Sequence, residues 1–127
     1  MGGGSSFRVL CVDDNRDVAE SLVMLLALVG FEARAYFDAA SALAEAAAFR
    51  PHAGVLDIHM PGMDGYELAR RLKAIGDDAV RLVAVTGYGQ SEDRRRSAAA
   101  GFEAHLVKPV TLDELQELLD RLTGAAG

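Results

Sequence analysis

Residues 54–65, GVLDIHMPGMDG, join a short apolar run to an acid and then to a loop that contains proline and glycine. Val55 and Leu56 belong to a run that predicts a buried strand, and this run stops at Asp57. Burial penalises a charged carboxylate, so one such acid is weak evidence of function. Several strands that end in chemically active residues would be strong evidence, because they would bring those residues together.

The pattern of an apolar run followed by a segment of helical period occurs five times along the chain. The apolar runs are 7–12, 31–36, 53–56, 80–85 and 104–107, and the helical segments begin near residues 18, 41, 65, 91 and 112. Gly30 is expected to close the first helix, and Pro51 to stop the second. Alternating strands and helices form a parallel sheet with a helical layer on each face. The sequence therefore predicts a three-layer α/β domain.

The composition fits one acidic domain with a single core. The chain has 127 residues, half of them apolar, and a net charge of −6, which argues against binding to nucleic acid or to an anionic membrane. Cys11 is the only cysteine, so an internal disulfide is excluded. Residues 1–6 have linker composition, 7–122 are expected to form the domain, and 123–127 a flexible tail. The expected location is the bacterial cytoplasm.

The residues that follow the predicted strands carry the functional signal. Asp13 and Asp14 follow the first strand, Asp57 the third, Thr86 the fourth and Lys108 the fifth. In open parallel sheets, function gathers outside the carboxyl ends of the strands. Taken singly, Asp13 or Asp14 would be read as the cap of the first helix. The full set instead predicts a cluster of acids with one ammonium and one hydroxyl.

The charges of this cluster predict a metal. Neighbouring carboxylates repel by about 4 kcal/mol per pair at roughly 4 Å and an effective dielectric near 20. Lys108 offsets one of three negative charges, and a divalent cation would balance the rest. Carboxylate oxygens suit Mg²⁺. A carboxylate not fully neutralised could then attack phosphorus, with the metal and Lys108 stabilising the phosphoryl oxygens and Thr86 donating a hydrogen bond to the product. This describes a phosphoryl-accepting site.

The ordered set resembles the receiver domain of two-component response regulators over residues 7–122. Asp13-Asp14, Asp57 with the following MPGMDG (residues 60–65), Thr86 and Lys108-Pro109 carry the resemblance. It implies a flavodoxin-like (βα)5 fold with strand order 2-1-3-4-5. It also implies that a histidine kinase or histidine phosphotransfer domain phosphorylates Asp57. Such domains catalyse their own phosphorylation and dephosphorylation and are not conventional enzymes.

The resemblance assigns roles residue by residue. Asp14, Asp57 and the main-chain carbonyl of His59 would hold Mg²⁺, and Asp13 would support the metal through water. Lys108 would pair with the phosphoryl group. The peptide bond that follows this lysine, to Pro109, is expected to be cis.

The resemblance also implies a switch formed by Thr86 and His105. Phosphorylation would draw the Thr86 hydroxyl inward, and residue 105 on the fifth strand would follow. Tyr or Phe is the commoner residue there, so a histidine departs from the aromatic switch and raises the hypothesis that its protonation matters. His105 and the run 101–110 resemble receivers fused to hybrid sensor kinases.

Access to the site and contact with partners are assigned to other residues. His59, Gly87 and Tyr88 are expected to tune how fast water removes the phosphoryl group. The fourth helix carries only alanines on its apolar side, residues 98–100, and is expected to be weakly held. The face formed by this helix, the fifth strand and the fifth helix would change its affinity for partners and could support a dimer.

Three other functions fit the sequence less well or remain open. A phosphatase of the haloacid-dehalogenase type needs an acid two residues after its nucleophile, where this chain has His59. A flavodoxin-like nucleotide or flavin binder needs a first loop rich in Gly, Ser or Thr, but residues 13–17 read DDNRD. A receiver-shaped interaction module that is not phosphorylated remains the main alternative.

Overall fold

The computed structural model describes residues 7–76, 79–87 and 93–123. Five strands alternate with five helices. The strands are β1 (Arg8–Val12), β2 (Glu32–Tyr36), β3 (Ala53–Asp57), β4 (Arg81–Thr86) and β5 (Phe102–Val107). The helices are α1 (Arg16–Leu28), α2 (Ala39–Phe49), α3 (Gly65–Ile75), α4 (Arg94–Ala100) and α5 (Leu112–Thr123). The strands are all parallel in the order β2-β1-β3-β4-β5, which confirms the predicted fold and strand order.

The side chains of the sheet alternate between two apolar layers. Leu10 and Leu56 pack with residues of α2 and α3, whereas Cys11 and Val55 pack on the other face with residues of α1 and α5. This alternation follows from the two-residue period of a strand. Burial raises the pKa of the Cys11 thiol to about 12, so that side chain is a neutral apolar group at physiological pH. All five residues of the central strand β3 are buried, which fixes Asp57 at its end.

The caps place the helix ends differently from the periodic pattern. Asn15 caps α1, its side chain accepting a hydrogen bond from the Val18 amide at 3.3 Å, so the assignment of that cap to Asp13 or Asp14 would be wrong. Asp38 caps α2 through the Ser41 amide at 2.7 Å and starts this helix two residues before the predicted position. Short polar side chains at these positions supply acceptors for the free amides of a first turn.

Two further differences lie in the second half of the chain. Asp93 caps α4, which therefore begins at Arg94 rather than at residue 91, and residues 91 and 92 lie outside the described part of the chain. β5 begins at Phe102 instead of Ala104, because its pairing with β4 skips one residue between those two positions. This irregularity breaks the alternation that a sequence pattern relies on.

The backbone pairing of the sheet continues past the ends of three strands. The amide of Asp13 donates to the Tyr36 carbonyl at 3.1 Å, that of Ile58 to Val85 at 3.2 Å, and that of Lys108 to Thr86 at 2.8 Å. The first residues of the loops at the carboxyl edge are therefore held by the neighbouring strands.

Gly65 begins α3 in backbone contact with the end of β3. Its amide donates to the Ile58 carbonyl at 3.3 Å. A Cβ atom on residue 65 would lie 2.5 Å from the Ile58 Cα and 2.7 Å from the Asp57 carbonyl oxygen. Only glycine allows this approach without moving the backbone. None of the helices in the described part of the chain has the length and apolar character that a membrane crossing requires.

Candidate functional site

Three aspartates meet at the carboxyl edge of the sheet. Asp13 and Asp14 follow β1, Asp57 ends the adjacent β3, and one carboxylate oxygen of each lies within 4.8 Å of the others. Asp13 and Asp57 are buried, being 1% and 3% exposed, whereas Asp14 is exposed. The cluster therefore has two buried acids and one acid open to solvent.

Lys108 reaches this cluster from the end of β5. Its Nζ lies 2.7 Å from Asp13 Oδ2 and 3.4 Å from Asp57 Oδ2, and the peptide bond between Lys108 and Pro109 is cis. Burial opposes the charge on Lys108, but the two carboxylates outweigh this cost and raise the pKa of the lysine. Lys108 is therefore an ammonium ion that serves two acids at once.

Asp57 lies where ionisation is costly. Burial raises the pKa of its carboxyl group to about 6, and the nearby charge of Asp13 adds to this effect. The His59 amide, which donates to Asp57 Oδ1 at 2.9 Å, and the Lys108 ammonium act in the opposite direction. A further cation near Asp57 would favour its charged form and lower its pKa.

The donor set fits a hard divalent cation. Asp13 Oδ2 is buried and, beside its ion-pair contact with Lys108, has no hydrogen-bond partner in the described part of the chain. Three carboxylates face one ammonium, which leaves a surplus of two negative charges when all are ionised. Oxygen donors of this kind suit Mg²⁺.

Thr86 and His105 are in contact beside the cluster. Thr86 ends β4 and is fully buried, and its Oγ1 lies 3.0 Å from His105 Nε2 on the neighbouring strand β5. His105 is half-buried. The structure thus brings together the hydroxyl and the ring that the sequence paired as a switch, while their role in switching stays a prediction.

The residues expected to control access are placed only in part. His59 is exposed two residues after Asp57, and Gly87 is half-buried directly after β4. Tyr88 lies outside the described residues, so its place at the site stays a prediction. The sequence reasoning missed Asn15, whose amide donates to Asp13 Oδ1 at 2.9 Å while its side chain caps α1. An asparagine directly after the acidic pair is the signal that indicates this cap.

Comparison with known proteins agrees with this geometry. The family model of the response regulator receiver domain matches residues 9–120. The transcriptional regulatory protein PrrA of Mycobacterium leprae is 43% identical over 113 residues, which are 89% of this chain and 48% of PrrA. The chain thus spans about half the length of the curated relatives that it matches.

Two solved structures share the fold over nearly their full length. The chemotaxis protein CheY4 of Vibrio cholerae has a TM-score of 0.84 and 25% identity, covering 93% of this chain and 99% of CheY4. The receiver domain of the sensor histidine kinase PA1611 of Pseudomonas aeruginosa has a TM-score of 0.81 and 29% identity, covering 94% of this chain and 99% of that one. That structure is described with a magnesium ion coordinated in its active-site cleft. On the match of the family model and the identity to these relatives, the chain belongs to the response regulator receiver domain family.

Proposed function

We propose that this receiver domain takes a phosphoryl group from a phosphohistidine donor onto Asp57, with Mg²⁺ at the acidic edge, and thereby changes its affinity for partners. One observation carries the proposal. Asp57 is a buried carboxylate at a strand end, between an acidic pair and an ammonium whose Nζ lies 3.4 Å from its Oδ2. A purely structural acid would be neutralised by its surroundings, whereas this cluster keeps a negative surplus.

The transfer is a displacement at phosphorus. A carboxylate oxygen of Asp57 forms a bond to phosphorus, while the P–N bond to the donor imidazole breaks and its electron pair returns to the ring nitrogen. The product is an aspartyl phosphate, and the donor leaves as a neutral imidazole when its other nitrogen carries a proton. Positioning and electrostatic stabilisation supply most of the catalysis of such a reaction.

The acidic residues provide the metal site. Asp14, Asp57 and the main-chain carbonyl of His59 would hold Mg²⁺, and Asp13 would support it through water. When bound, this ion supplies positive charge next to the phosphoryl oxygens. The exposed position of Asp14 gives an ion a route from solvent. Because Asp13 is buried, the loss of its Lys108 partner would be costly.

Lys108 is the protein's own countercharge to the transferred group. Its Nζ now lies 2.7 Å from Asp13 Oδ2 and 3.4 Å from Asp57 Oδ2. A phosphoryl group on Asp57 brings new anionic oxygens within reach of this ammonium. Lys108 would then exchange part of its contact with the aspartates for contact with the phosphoryl group.

The tautomer of His105 decides how Thr86 takes part. If Nε2 carries the proton, His105 donates to Thr86 Oγ1 across the 3.0 Å contact, and the hydroxyl proton remains available for a phosphoryl oxygen. If Nδ1 carries it, Thr86 donates to Nε2 and must break that bond to reach the phosphoryl group. In both cases a movement of Thr86 would change its hydrogen bond with His105 on β5.

The partners are assigned by analogy with the relatives. Receiver domains of two-component systems take phosphoryl groups from histidine kinases, and we assign a histidine kinase or a histidine phosphotransfer domain as the donor here. PrrA is a transcriptional regulatory protein and PA1611 is a sensor histidine kinase, so the output and the hybrid-kinase origin are proposals that differ between relatives. The face formed by α4, β5 and α5 would carry partner binding or a dimer.

Intact mass after treatment with acetyl phosphate tests the proposed acceptor. The protein should gain one phosphoryl group with Mg²⁺ and none with a chelator, and Asp57→Asn should gain none. Asp17→Asn, which changes an exposed acid in the first turn of α1, is the matched control and should behave as the wild type. Folded protein that binds Mg²⁺ and yet gains no mass would favour an interaction module that is not phosphorylated.

A further inference from the structure

The first turns of α3 and α4 are joined by four residues, Asp64, Tyr66, Asp93 and Arg96, which we call the α3–α4 clasp. The Asp93 amide donates to the Tyr66 hydroxyl at 2.9 Å. The Arg96 guanidinium lies over the Tyr66 ring, 4.2 Å from its centroid, and donates to Asp64 Oδ2 at 3.2 Å. Three contacts of different kinds therefore converge on the same two helix starts.

The clasp connects the N-caps of both helices. Asp64 Oδ1 accepts from the Glu67 amide at 3.0 Å and caps α3, while Asp93 Oδ1 accepts from the Arg95 and Arg96 amides at 3.0 and 3.1 Å and caps α4. Each capping residue thus accepts hydrogen bonds from its own first turn and also contacts a residue of the other helix. A shift of one helix start would strain the cap of the other.

Packing alone holds α4 weakly, so the position of this helix depends more on the contacts of the α3–α4 clasp. Of the seven residues in α4, all of which the structure describes, Ala100 alone is buried. Tyr66, by contrast, is only 5% exposed and packs edge-on against Phe102 at 6.3 Å between centroids. The N-terminal turn of α4 is therefore anchored on a buried residue of α3 rather than by its own apolar side chains.

A short path leads from Asp57 to this anchor. Asp57 Oδ1 accepts from the His59 amide at 2.9 Å, and the loop that follows ends at Asp64 and at Gly65, whose amide donates to Ile58 at 3.3 Å. A phosphoryl group on Asp57 changes the charge and the contacts of the acceptor of the His59 amide. The loop that carries this amide also carries the residue that binds Arg96.

From this geometry we infer that Tyr66 is a positioning residue that fixes the start of α4 and transmits the state of Asp57 to it. This route runs through the loop after β3 and is separate from the contact between Thr86 and His105. The inference rests on the proposed function, since it assumes that Asp57 changes its state. Tyr66 takes no part in the transfer itself.

Tyr66→Phe is the sharpest test, because it removes the hydroxyl and keeps the ring under Arg96. Tyr36→Phe is the matched control, since Tyr36 is half-buried in β2 and packs against the same apolar layer, away from α4. Amide hydrogen exchange of residues 94–100 would be measured in each protein, free and with Mg²⁺ and beryllofluoride as a phosphoryl mimic. Arg96→Gln, with Arg95→Gln as its control, repeats the test from the other side of the clasp.

Tyr66→Phe should speed exchange in α4 of the free protein by about threefold to tenfold, the effect of one lost hydrogen bond. The difference in α4 exchange between free and beryllofluoride-bound protein should shrink, while Tyr36→Phe should leave both quantities unchanged. Acetyl phosphate should still add one phosphoryl group to Tyr66→Phe.

Three results would overturn the inference. Exchange in α4 of Tyr66→Phe could equal that of Tyr36→Phe, the response to beryllofluoride could persist undiminished, or α4 of the wild type could show no response although Asp57 gains a phosphoryl group. A wild type that gains no mass would instead overturn the proposed function and this inference with it. The mass measurement separates that case from the other three.

Discussion

The two edges of the sheet differ in how their charged groups are compensated. At the amino edge, Arg8 Nε donates to the Phe49 and Arg50 carbonyls, each at 2.9 Å, and so satisfies the end of α2. The Arg8 amide donates to Nδ1 of His52 at 2.9 Å, and the ring of this histidine stacks on Phe7 at 4.7 Å. At the carboxyl edge, three carboxylates lie together and the ammonium of Lys108 contacts two of them.

The size of a cleft does not identify the functional edge. A cleft of about 510 Å³ lies at the amino edge, lined by Arg8, Arg50, His52 and Arg81 among apolar residues. Arg8 and His52 are used as caps and strand partners, and Arg81 pairs with Glu103 at 2.7 Å. Unbalanced charge, rather than open volume, therefore distinguishes the reactive end of this sheet.

Lys108→Met should have the largest effect among the changes that separate the two edges. Losing the ammonium that faces Asp57 should slow acceptance from acetyl phosphate by roughly 100-fold, as the loss of one electrostatic donor does in other active sites. Lys73→Met is the control, because Lys73 donates to the Val80 carbonyl near the amino edge. A rate of Lys108→Met within threefold of the wild type, measured by mass against time, would contradict the role of Lys108.

Asp57→Asn should stabilise the protein without divalent cations. Because the folded-state pKa of Asp57 is about 6 and the ordinary pKa of an aspartate is 3.8, the folded state binds more protons than the unfolded state between these values. Wild-type stability should therefore fall as pH rises through this window, and the variant should not share that loss. The expected gain is about 3 kcal/mol above pH 6, and it vanishes near pH 4.

Urea denaturation at several pH values measures this gain. Asp17→Asn, at an exposed position, should show no comparable gain, and saturating Mg²⁺ should favour the wild type because its carboxylates bind the ion. Equal stability of Asp57→Asn and the wild type at pH 7.5 without metal would mean that Asp57 is not strained by its burial.

His52→Leu should have a smaller effect, confined to the amino edge. Burial, followed by the charge of Arg8, lowers the pKa of His52, so folding favours the neutral ring. The contribution of His52 to stability should be present above its ordinary pKa, near 6.5, and be lost as pH falls below it. The variant should lose about 1 kcal/mol at neutral pH, through the Arg8 amide, and show a weaker pH dependence.

Thermal unfolding between pH 5 and 8 would show this dependence, with phosphoryl acceptance measured alongside. Acceptance in His52→Leu should equal that of the wild type at pH 7.5, since the two edges are independent. A large loss of acceptance would show that the edges are coupled.

The sequence predicted what depends on period and on strand ends. The alternation of runs gave the five strands, and the resemblance gave their order, because both are repeated along the whole chain. The start of α2 at Ala39, after its cap Asp38, and that of β5 at Phe102 were missed, since a cap and a skipped residue act locally and interrupt the apolar period. The structure brings Lys108 into contact with Asp13 and Asp57 at the strand ends, while the roles of these residues stay predictions.

The α3–α4 clasp could not be predicted in the same way. Tyr66 and Asp93 are 27 residues apart, and Asp64 and Arg96 are 32 residues apart. Each residue has an ordinary local explanation as a cap, a core aromatic or a surface charge. Only the folded packing of α3 against α4 makes these four residues one group. Long-range contacts between residues of unremarkable type leave no pattern in a single chain.

The backbone contact at Gly65 has a consequence for mutational libraries. Because a Cβ there would meet the main chain of residues 57 and 58, every substitution displaces the segment that carries the acceptor. A library selected for signalling would therefore retain glycine at position 65 about as strictly as aspartate at position 57. The constraint at position 57 would reflect reactivity, whereas the constraint at position 65 would reflect only the lack of space for a Cβ atom. Selection data alone would not distinguish the two.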